Sequence, residues 1–501
     1  MRGMAPPARP RTNLRRAHAT EYVRRGWWSD VSVLDRYAET VRRRPGHLAV
    51  ADAAGRRLTH EALWAASGAL ADGLAAAGTD ARDVVLIHLP NVAEWQVAYL
   101  ACLRLGAVPA TLPVTTDEDT LASIVERVRP RTVVSLDGVR TVRHTDGPAR
   151  PVPAGVDHVM FTSSTTGRPK AVAHSERTLG AVNAAFTERF GLGEADPIFM
   201  PSPLGHSVGA WHGSRLALWN GAPLVLQDRW DPQVATGLLA GHGCTFTAAA
   251  TPFLTDLVHA GAHPFGALRT FLCGGAPVPP SLVTAAETAS PGTLFSVLWG
   301  MTEGGVTTCT QASPADKRAS TAGLPLPGLE LRVLTADGVG ATGEEGELVM
   351  RGPGVCVGYA GQEDLFEEQL TDDGFFRTGD LAVLDADGYV RVTGRLKDLV
   401  IRGGVNVSPL PTEDALAAHP HVRSVAVIGV PDERLGERIG AVVVTDGASL
   451  ELDEVCRWLA DRGLPKRQWP ERLFSVDAMP RTAAGKIRKN VLRETLAGGG
   501  A

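Results

Sequence analysis

The sequence has few cysteines, and no two of them stand close together. Its six cysteines are scattered over 501 residues without a CxxC pattern. Scattered cysteines are typical of buried free thiols in a reducing compartment, and they do not support a zinc site. We therefore expect a cytoplasmic protein with free thiols. The cysteines are Cys102, Cys244, Cys273, Cys309, Cys356 and Cys456.

Long apolar runs and a strong excess of charge are also missing. No apolar stretch approaches the ~20 residues that cross a bilayer. The first 25 residues are rich in Arg, Pro and Ala and lack the apolar core of a signal peptide. We expect no membrane contact, and an N-terminal arm that is frayed or partly docked. The net charge of −5 gives no reason to expect a nucleic-acid partner.

Lysine is scarce, with six residues against a total of 50 Lys and Arg. Because arginine carries nearly all the positive charge, each lysine raises the question of why a compact ammonium is needed there. Four of the six fall inside the motifs described below. They are Lys170, Lys397, Lys486 and Lys489.

The first part of the chain alternates helix-like and strand-like segments. Residues 60–77 and 92–105 have helical patterns, with Thr59 as a plausible N-cap of the first, and residues 84–89 read as a buried strand. This β-α-β rhythm predicts a mainly parallel sheet covered by helices. Such sheets bind ligands at the loops that follow the carboxyl ends of their strands.

The sequence pattern changes twice further along the chain. Short strands separated by Asp-Gly and Gly-Pro turns predict a small β-rich subdomain at about 320–393, and an α+β unit follows Arg395. We therefore predict an α/β fold with a large N-terminal domain at 1–396 and a smaller C-terminal domain at 397–501. The N-terminal domain would combine parallel-type α/β subdomains with the β-rich one.

A hydroxyl-rich loop ending in lysine follows the strand-like run 159–161. It offers backbone N–H groups, hydroxyl donors and one mobile cation, which a polyphosphate needs. It is not a P-loop, because Pro169 stands where that motif has the glycine before its lysine. The candidate phosphate-binding residues are Thr162, Ser163, Ser164, Thr165, Thr166, Gly167 and Lys170.

Four further segments complete a set of motifs. They are a Gly/Pro turn at 274–279, the sequence WGMTE at 299–303, the sequence FRTGDL at 376–381 and a basic, glycine-containing run at 481–489. In this order, with GRLKD at 394–398, the motifs resemble the adenylate-forming superfamily. That superfamily contains acyl- and aryl-CoA synthetases, peptide-synthetase adenylation domains and luciferases. The resemblance covers nearly the whole chain, from about residue 29 to residue 496.

The resemblance implies a reaction in two steps. A carboxylate attacks the α-phosphate of Mg-ATP to give an acyl-AMP and pyrophosphate, and a thiol then displaces AMP. By the family pattern, the 162–170 loop holds the β- and γ-phosphates, Thr302 donates to the α-phosphate, and Glu303 ligates Mg²⁺. Attack of one anion on another needs its growing charge to be neutralised, which these residue types can do.

The resemblance also implies how the nucleotide is held. Asp380 would accept hydrogen bonds from both ribose hydroxyls, Arg395 would lie beside the ribose and phosphate, and Trp299 would stack on the adenine where the family commonly has Tyr. Val297 stands where the family usually has an amide that reaches the adenine amino group. The remaining nucleotide-binding candidates are Gly274, Ala276, Pro277 and Gly300.

Three positions of the C-terminal part match family positions for catalysis and movement. Lys486 would bridge the substrate carboxylate and the α-phosphate and fix the in-line approach. Lys397 occupies the hinge about which the C-terminal domain swings. Gly403 and Gly404 would line the CoA tunnel in the second orientation.

The acyl group is the least defined part of the prediction. The segment 203–209 has no acid to pair with an amine, so an amino-acid substrate would leave its ammonium unpaired. His206 matches a pocket-mouth histidine and would act as a gate or carboxylate neighbour. Small walls favour a bulky apolar acid, alicyclic or polycyclic, and the stretch 22–28 most resembles aryl-acid and cyclohexanecarboxylate-type CoA ligases. The predicted pocket residues are Ser207, Val208, Ala250, Thr251, Gly274, Gly300 and Thr307.

The sequence thus predicts an acyl-CoA synthetase that uses ATP, Mg²⁺ and CoA on a small-molecule carboxylic acid. One alternative is a stand-alone ligase that loads the acyl group onto a carrier protein. An alternative of another class is a non-catalytic nucleotide- or acyl-binding relative, which only Val297 favours. The oligomeric state stays open, a homodimer included.

Overall fold

A computed structural model describes residues 11–142, 152, 155–162, 169–261, 265–275, 278–481 and 486–497. Several predicted nucleotide-binding residues lie outside the described residues. They are Ser163, Ser164, Thr165, Thr166, Gly167, Ala276 and Pro277. In the ranges that are described, no helix combines the length and the apolar character that a membrane span requires.

The helices of the described chain lie mostly between strands, as the β-α-β rhythm predicts. They are α1 Arg11–Arg24, α2 Val33–Arg43, α3 His60–Ala76, α4 Ala93–Leu105, α5 Glu118–Val128, α6 Glu176–Phe190, α7 Ser207–Gly209, α8 Leu216–Asn220, α9 Pro232–Gly241, α10 Thr251–His259, α11 Pro280–Ala289, α12 Ala315–Ser320, α13 Glu363–Glu368, α14 Leu410–Ala417, α15 Leu452–Asp461 and α16 Lys489–Ala497.

The strands are short in the first 300 residues and longer in the last 200. They are β1 Leu48–Asp52, β2 Arg57–Thr59, β3 Val84–Ile87, β4 Val108–Thr111, β5 Thr132–Ser135, β6 Gly138–Thr141, β7 His158–Phe161, β8 Ala171–His174, β9 Ile198–Met200, β10 Leu224–Leu226, β11 Phe246–Ala250, β12 Thr270–Gly274, β13 Leu294–Met301, β14 Gly304–Thr308, β15 Leu324–Pro325, β16 Glu330–Thr335, β17 Gly338–Val339, β18 Glu345–Arg351, β19 Gly358–Tyr359, β20 Phe376–Leu384, β21 Val390–Arg395, β22 Val400–Arg402, β23 Val405–Val407, β24 Val422–Asp432, β25 Gly436–Thr445 and β26 Arg472–Ser475.

Two large mixed sheets form the first part of the protein. One has the order β15-β14-β13-β12-β11-β9-β10-β1-β2, in which β1 and β9 to β13 run parallel. The other has the order β19-β8-β7-β4-β3-β5-β6, with β3, β4, β5 and β7 parallel. The prediction of mainly parallel, helix-covered sheets is confirmed. Strands buried on both faces explain the continuous apolar runs.

Two smaller sheets follow, antiparallel except for the parallel pair β25 and β26. The sheet β17-β16-β18-β20-β21 is the β-rich subdomain that the pattern of short strands and turns predicts. The last sheet, β23-β22-β25-β24 with β26 beside β25, carries α14, α15 and α16 and has the predicted α+β character. Its two long strands, β24 and β25, form a hairpin whose pairing continues to Asp432 and Gly436.

Local capping signals locate the early helices. The Thr59 side chain accepts a hydrogen bond from the Ala62 N–H at the start of α3, as an N-cap does. Gly106 ends α4 in the left-handed conformation, with a φ of 74°. Both helices therefore lie where the sequence predicts them.

The N-terminal arm is docked rather than frayed over its described part. Tyr22, at the end of α1, is buried, and its ring meets that of Trp28 edge-on with centroids 5.2 Å apart. The Trp28 indole N–H donates to the Pro353 carbonyl at 2.9 Å. The arm thereby contacts the loop that leads from the β-rich subdomain towards β19.

Five of the six cysteines are buried free thiols, as predicted, and Cys456 is partly exposed.

Candidate active site

The candidate site lies at the carboxyl ends of β11, β12 and β13. In this register Ala250 pairs with Gly274, and Gly274 pairs with Leu298. A side chain at Gly274 would place its Cβ 2.4 Å from the Leu298 carbonyl oxygen, so only glycine fits there. This is the end of a parallel sheet at which α/β folds bind ligands.

The ends of the predicted phosphate loop are joined to each other. The Thr162 N–H donates to the Lys170 carbonyl at 3.1 Å, and the Lys170 N–H donates to the Thr162 hydroxyl at 3.2 Å. Since Thr162 follows β7 and Lys170 precedes β8, these two bonds close the base of the loop. The described part of the loop is therefore anchored on two paired strands.

Thr302 and Glu303 occupy the tight connection between β13 and β14. Gly304 follows with a φ of 118°, and a Cβ there would meet the Gly354 carbonyl oxygen at 2.5 Å. The Cys356 N–H donates to the Glu303 carbonyl at 2.7 Å. The backbone of 354–356 thus supports the turn that presents Thr302 and Glu303.

His174 holds this turn from the other side. Its Nε2 lies 2.8 Å from the Thr302 carbonyl oxygen, and its Nδ1 lies 3.1 Å from the Thr178 hydroxyl. Burial lowers the pKa of His174 to about 4, so the ring is neutral near pH 7. A carbonyl only accepts, so Nε2 carries the proton and Nδ1 accepts from Thr178.

A buried tyrosine connects Glu303 to Lys170. The Tyr359 hydroxyl donates to Glu303 Oε1 at 2.8 Å, and Lys170 Nζ lies 3.3 Å from the same hydroxyl. Lys170 Nζ also lies 4.8 Å from the centre of the Tyr359 ring. The residue predicted to ligate the metal and the lysine of the phosphate loop therefore share one partner.

Asp380 has charged and polar partners on both carboxylate oxygens. The Trp299 indole N–H donates to Oδ2 at 2.8 Å, and Arg395 Nε lies 2.7 Å from Oδ1. Asp380 is only 3% exposed, so these contacts compensate for the loss of water around its charge. The structure thus brings Trp299, Asp380 and Arg395 together.

Lys486 reaches this site from the C-terminal part of the chain. Its Cε lies 3.7 Å from the position that a Cβ on Gly275 would take, at the turn after β12. The pKa of Lys486 is lowered to about 8, first by burial and then by the nearby cations Arg395 and Lys397, against the opposing effect of Asp380 and Glu303. Lys486 is thus desolvated among the nucleotide-site residues.

The charge balance of the described site is positive. Lys170, Arg395, Lys397 and Lys486 influence one another electrostatically, and the acids that oppose them are Asp380, Asp398 and Glu303. A cluster of cations costs free energy unless an anion joins it. The arrangement therefore suits a ligand with several negative charges.

His206 lies beside Lys486 and caps the start of α7. Its pKa is lowered to about 4, first by burial and then by the Lys486 charge, so its ring is neutral. The buried Nε2 atom has no hydrogen-bond partner among the described residues. A neutral imidazole with a free ring nitrogen beside a lysine can contact a carboxylate or another polar substrate group.

The predicted acyl-pocket residues of the sheet lie on its two opposite faces. Residues paired across strands share a face, so Ala250, Gly274 and Leu298 lie on one face, and Gly300 follows on the same face. Gly300 pairs with Val306, whereas Thr307 pairs with Trp299 on the opposite face. Thr307 is buried there and donates its hydroxyl to the Ala322 carbonyl at 2.7 Å. Val306 therefore shares the face of Ala250, Gly274 and Gly300, whereas Thr307 lies on the other face.

The other predicted pocket residues follow the same edge. Ser207 and Val208 begin α7 directly after His206, and Val208 packs against the main apolar core. Thr251 begins α10 directly after Ala250 and lies 3.9 Å from the Cys273 thiol.

The predicted hinge and CoA-tunnel residues lie further along the chain. Lys397 is in the short helical turn Leu396–Asp398 between β21 and β22. Gly403 and Gly404 form the turn between β22 and β23 with φ values of 59° and 80°, which glycine adopts without strain. The Gly403 N–H donates to the Leu435 carbonyl at 2.7 Å, so this hairpin packs on the start of β25.

The residues present fit a metal ion that arrives with a polyphosphate. Across the described ranges, no group of three or more His, Cys, Asp or Glu side chains could hold a metal by itself. Mg²⁺ in phosphate-transfer sites takes one or two carboxylates, and phosphate oxygens and water complete its shell. Glu303, buried and adjacent to Thr302, supplies such a carboxylate.

Sequence reasoning missed Tyr359, His174 and Val306. Tyr359 lies 56 residues from Glu303 and 189 residues from Lys170, so no local spacing links them. Its sequence signal is only that it is one of five tyrosines in the chain. His174 follows the predicted phosphate loop by four residues, which is a usable but weak signal.

Comparison with known proteins agrees with this geometry. The family described as AMP-binding enzyme matches residues 37–360, and the description AMP-binding enzyme C-terminal domain matches residues 412–486. Medium-chain fatty-acid–CoA ligase of Escherichia coli (strain K12) is 32% identical, over 95% of this chain and 92% of that protein. Salicyl-AMP ligase / salicyl-S-ArCP synthetase of Mycobacterium tuberculosis is 33% identical, with the same two coverages.

A solved structure shows the same architecture with nucleotide bound. ATP-bound MatB from Rhodopseudomonas palustris superimposes with a TM-score of 0.83 at 28% identity, over 94% of this chain and 99% of that one. The predicted fold class is confirmed, and ATP binding is supported. The chain belongs to the AMP-binding enzyme family, the adenylate-forming ligases whose motifs its sequence carries.

Proposed function

We propose that the protein activates a bulky hydrophobic carboxylic acid with ATP and transfers the acyl group to the thiol of CoA. One observation carries this proposal: Lys486 of the C-terminal part lies half-buried at the Gly275 turn. The charges of Arg395, Asp380 and Glu303 influence it there. The placement suits a lysine that contacts both a carboxylate and an α-phosphate.

In the first step, a carboxylate oxygen forms a bond to the α-phosphorus, and the bond to the β-phosphate oxygen breaks. Pyrophosphate leaves with the bonding electron pair. Thr302 donates to the α-phosphate, and Lys170 with the 162–170 loop binds the β- and γ-phosphates. Glu303 holds Mg²⁺, whose contribution is to neutralise charge on the phosphate oxygens.

Asp380 and Lys486 fix the geometry of that attack. Asp380 accepts from the ribose hydroxyls, in exchange for or in addition to its present contacts with Trp299 and Arg395. Lys486 binds the carboxylate and the α-phosphate together, which lowers the repulsion between the two anions. In the second step, the thiolate sulfur attacks the acyl carbon, and AMP leaves with the bridging oxygen.

The pocket face supports an apolar acyl group. Ala250, Gly300 and Val306 on this face carry no charge, and the Lys486 ammonium lies near enough to His206 to lower the pKa of that ring. An acid with an apolar body and one carboxylate fits that distribution. The fatty-acid–CoA ligase of E. coli supports this substrate class, and the salicyl-AMP ligase supports an aryl acid as the nearest variation.

The acceptor thiol and the domain movement are part of the same proposal. The Gly403–Gly404 turn would line the thiol path after the C-terminal domain, residues 397–501, swings about Lys397. The alternative acceptor is a carrier protein, which the printed name of the M. tuberculosis relative supports. We place the reaction in the cytoplasm.

The experiment is acid-dependent release of pyrophosphate and AMP across a panel of carboxylic acids, with and without CoA. We expect pyrophosphate to depend on the acid, and AMP release to accelerate with CoA. Acyl-AMP that forms but ignores CoA would move the acceptor to a carrier protein. No acid-dependent pyrophosphate from the panel would instead support a binding protein without catalysis.

A further inference from the structure

Tyr359 is held in place by strand pairing, burial and ring packing. It belongs to β19, a two-residue strand that pairs antiparallel with β8, where Tyr359 lies opposite Val172. Only 1% of its surface is exposed, and its ring meets that of Phe366 edge-on with centroids 5.2 Å apart. Because β8 begins directly after Lys170, this pairing fixes the phenol beside the base of the phosphate loop.

The Tyr359 hydroxyl uses both of its hydrogen-bonding roles. It donates to Glu303 Oε1 at 2.8 Å and lies 3.3 Å from Lys170 Nζ, which can only donate. A continuous chain of hydrogen bonds therefore runs from the Lys170 ammonium through the Tyr359 hydroxyl to the Glu303 carboxylate. Tyr359 thereby orients one carboxylate oxygen of Glu303, Oε1.

Burial makes these two hydrogen bonds important for both Lys170 and Glu303. Glu303 is 4% exposed, and a buried carboxylate that loses its donor is costly. A direct ion pair between Lys170 and Glu303 would satisfy both charges but would withdraw the lysine from a phosphate and the carboxylate from a metal. One intervening hydroxyl keeps the two groups apart and aligned.

We propose that Tyr359 is a positioning residue that couples the phosphate-loop lysine Lys170 to the carboxylate Glu303, so that metal ion and polyphosphate bind as one unit. The inference rests on the proposed function for the identity of that ligand. When a metal ion engages Glu303, the Tyr359 hydroxyl keeps the carboxylate in place. When a phosphate draws Lys170 away, the same hydroxyl remains bonded to Glu303.

The test is Tyr359→Phe, which keeps the ring under Lys170 and removes only the hydroxyl. We measure Mn²⁺ affinity by electron paramagnetic resonance with ATP present and no acid, and ATP affinity by calorimetry without metal. Loss of an outer-shell partner typically weakens metal affinity about 10- to 100-fold. We expect a loss of that order for Mn²⁺, with much less change in metal-free ATP affinity.

Tyr389→Phe is a matched control. Tyr389 is also buried, its hydroxyl donates to the Ser313 hydroxyl at 3.2 Å, and Lys317 Nζ lies 5.2 Å from its ring centre. This variant should leave Mn²⁺ affinity unchanged within error. Unchanged Mn²⁺ affinity in folded Tyr359→Phe, or an equal loss in both variants, would overturn the proposal.

A measurement on the unmutated chain keeps the proposal testable if Tyr359→Phe does not fold. With 3-fluorotyrosine at the five tyrosines, fluorine NMR should show one resonance that shifts on addition of Mg²⁺ and ATP together. No shifted resonance in protein that binds ATP would overturn the coupling. Neither readout uses the acid, so an enzyme that binds Mn²⁺ and ATP as expected but releases no acid-dependent pyrophosphate would contradict the proposed function alone.

Discussion

The two lysines of the candidate site are held in different ways. Lys170 stands at the start of β8, on the same domain as the sheet ends, and Tyr359 locks it to Glu303. Lys486 comes from the C-terminal part of the chain and is held by docking at the Gly275 turn, where burial lowers its pKa to about 8. Under the proposed function, nucleotide binding would be built into one domain, whereas the chemical step would depend on a group delivered by another.

Lys486→Ala should give the largest separation of these two functions. Removal of one donor to a developing anion costs on the order of 10²–10³ in rate, so we expect adenylation to fall by that factor. ATP affinity, measured by calorimetry, should change far less. Lys466→Ala, at an exposed turn of the same domain, is the control. Equal losses of ATP affinity and adenylation would contradict the division between the lysines.

The pocket face offers the next largest effect. Val306→Phe places a larger side chain opposite Gly300, on the face that the two residues share. The preference in kcat/KM should therefore shift from bulky to slender acids by about 10- to 200-fold, which is the discrimination that one badly fitting methylene produces. Thr307→Val changes the opposite face and should keep the order of acid preference, although it loses the bond to the Ala322 carbonyl. A changed preference in Thr307→Val with none in Val306→Phe would refute the assigned register.

Trp299→Phe tests how the ribose carboxylate is held. It removes the indole N–H that donates to Asp380 but keeps an aromatic face. Hydrogen bonds to charged groups contribute about 1.5–3 kcal/mol, so ATP affinity should fall by roughly 10-fold or more. Trp458→Phe is the control, because that indole N–H donates to the Ala415 carbonyl in the C-terminal domain. Calorimetric titration with ATP measures the affinity of each variant. Equal ATP affinities in the two variants would refute the role of the Trp299 indole N–H in holding Asp380.

The smallest expected effect is a shift in pH dependence. Lys486 must be protonated to act, so kcat/KM for the acid should fall as pH rises through about 8, the lowered pKa of this lysine. Arg395→Gln removes a cation that lowers this pKa, and the alkaline limb should move to higher pH. Initial rates across the alkaline range measure this shift. An alkaline limb that stays at the same pH in Arg395→Gln would show that a group other than Lys486 titrates.

Local signals in the sequence were sufficient for the fold of the first half. Thr59 and Gly106 mark helix ends whose caps form within a few residues, and the structure has α3 and α4 at those places. The motif residues Asp380, Arg395 and Trp299 could also be grouped from the sequence, but only through the family resemblance. The Trp299–Asp380 contact joins residues 81 positions apart, whereas the Arg395–Asp380 contact joins the consecutive strands β21 and β20.

Two features could not be read from the sequence for physical reasons. The face on which Thr307 lies could not be read from the sequence, because a register shift between Gly300 and Met301 decides which face β14 presents. A one-residue change in register moves every side chain to the other face. Tyr359 was missed because its role depends on the pairing of β19 with β8, which no local pattern encodes.

The central claim is that a carboxylate oxygen attacks the α-phosphate while Lys486 is docked. The most direct test is a single turnover with an acid labelled with oxygen-18 in its carboxylate, followed by mass spectrometry of the nucleotide product. The account predicts AMP that carries one labelled oxygen, since the bridging oxygen leaves with AMP. Unlabelled AMP, or ADP as the product, would contradict it.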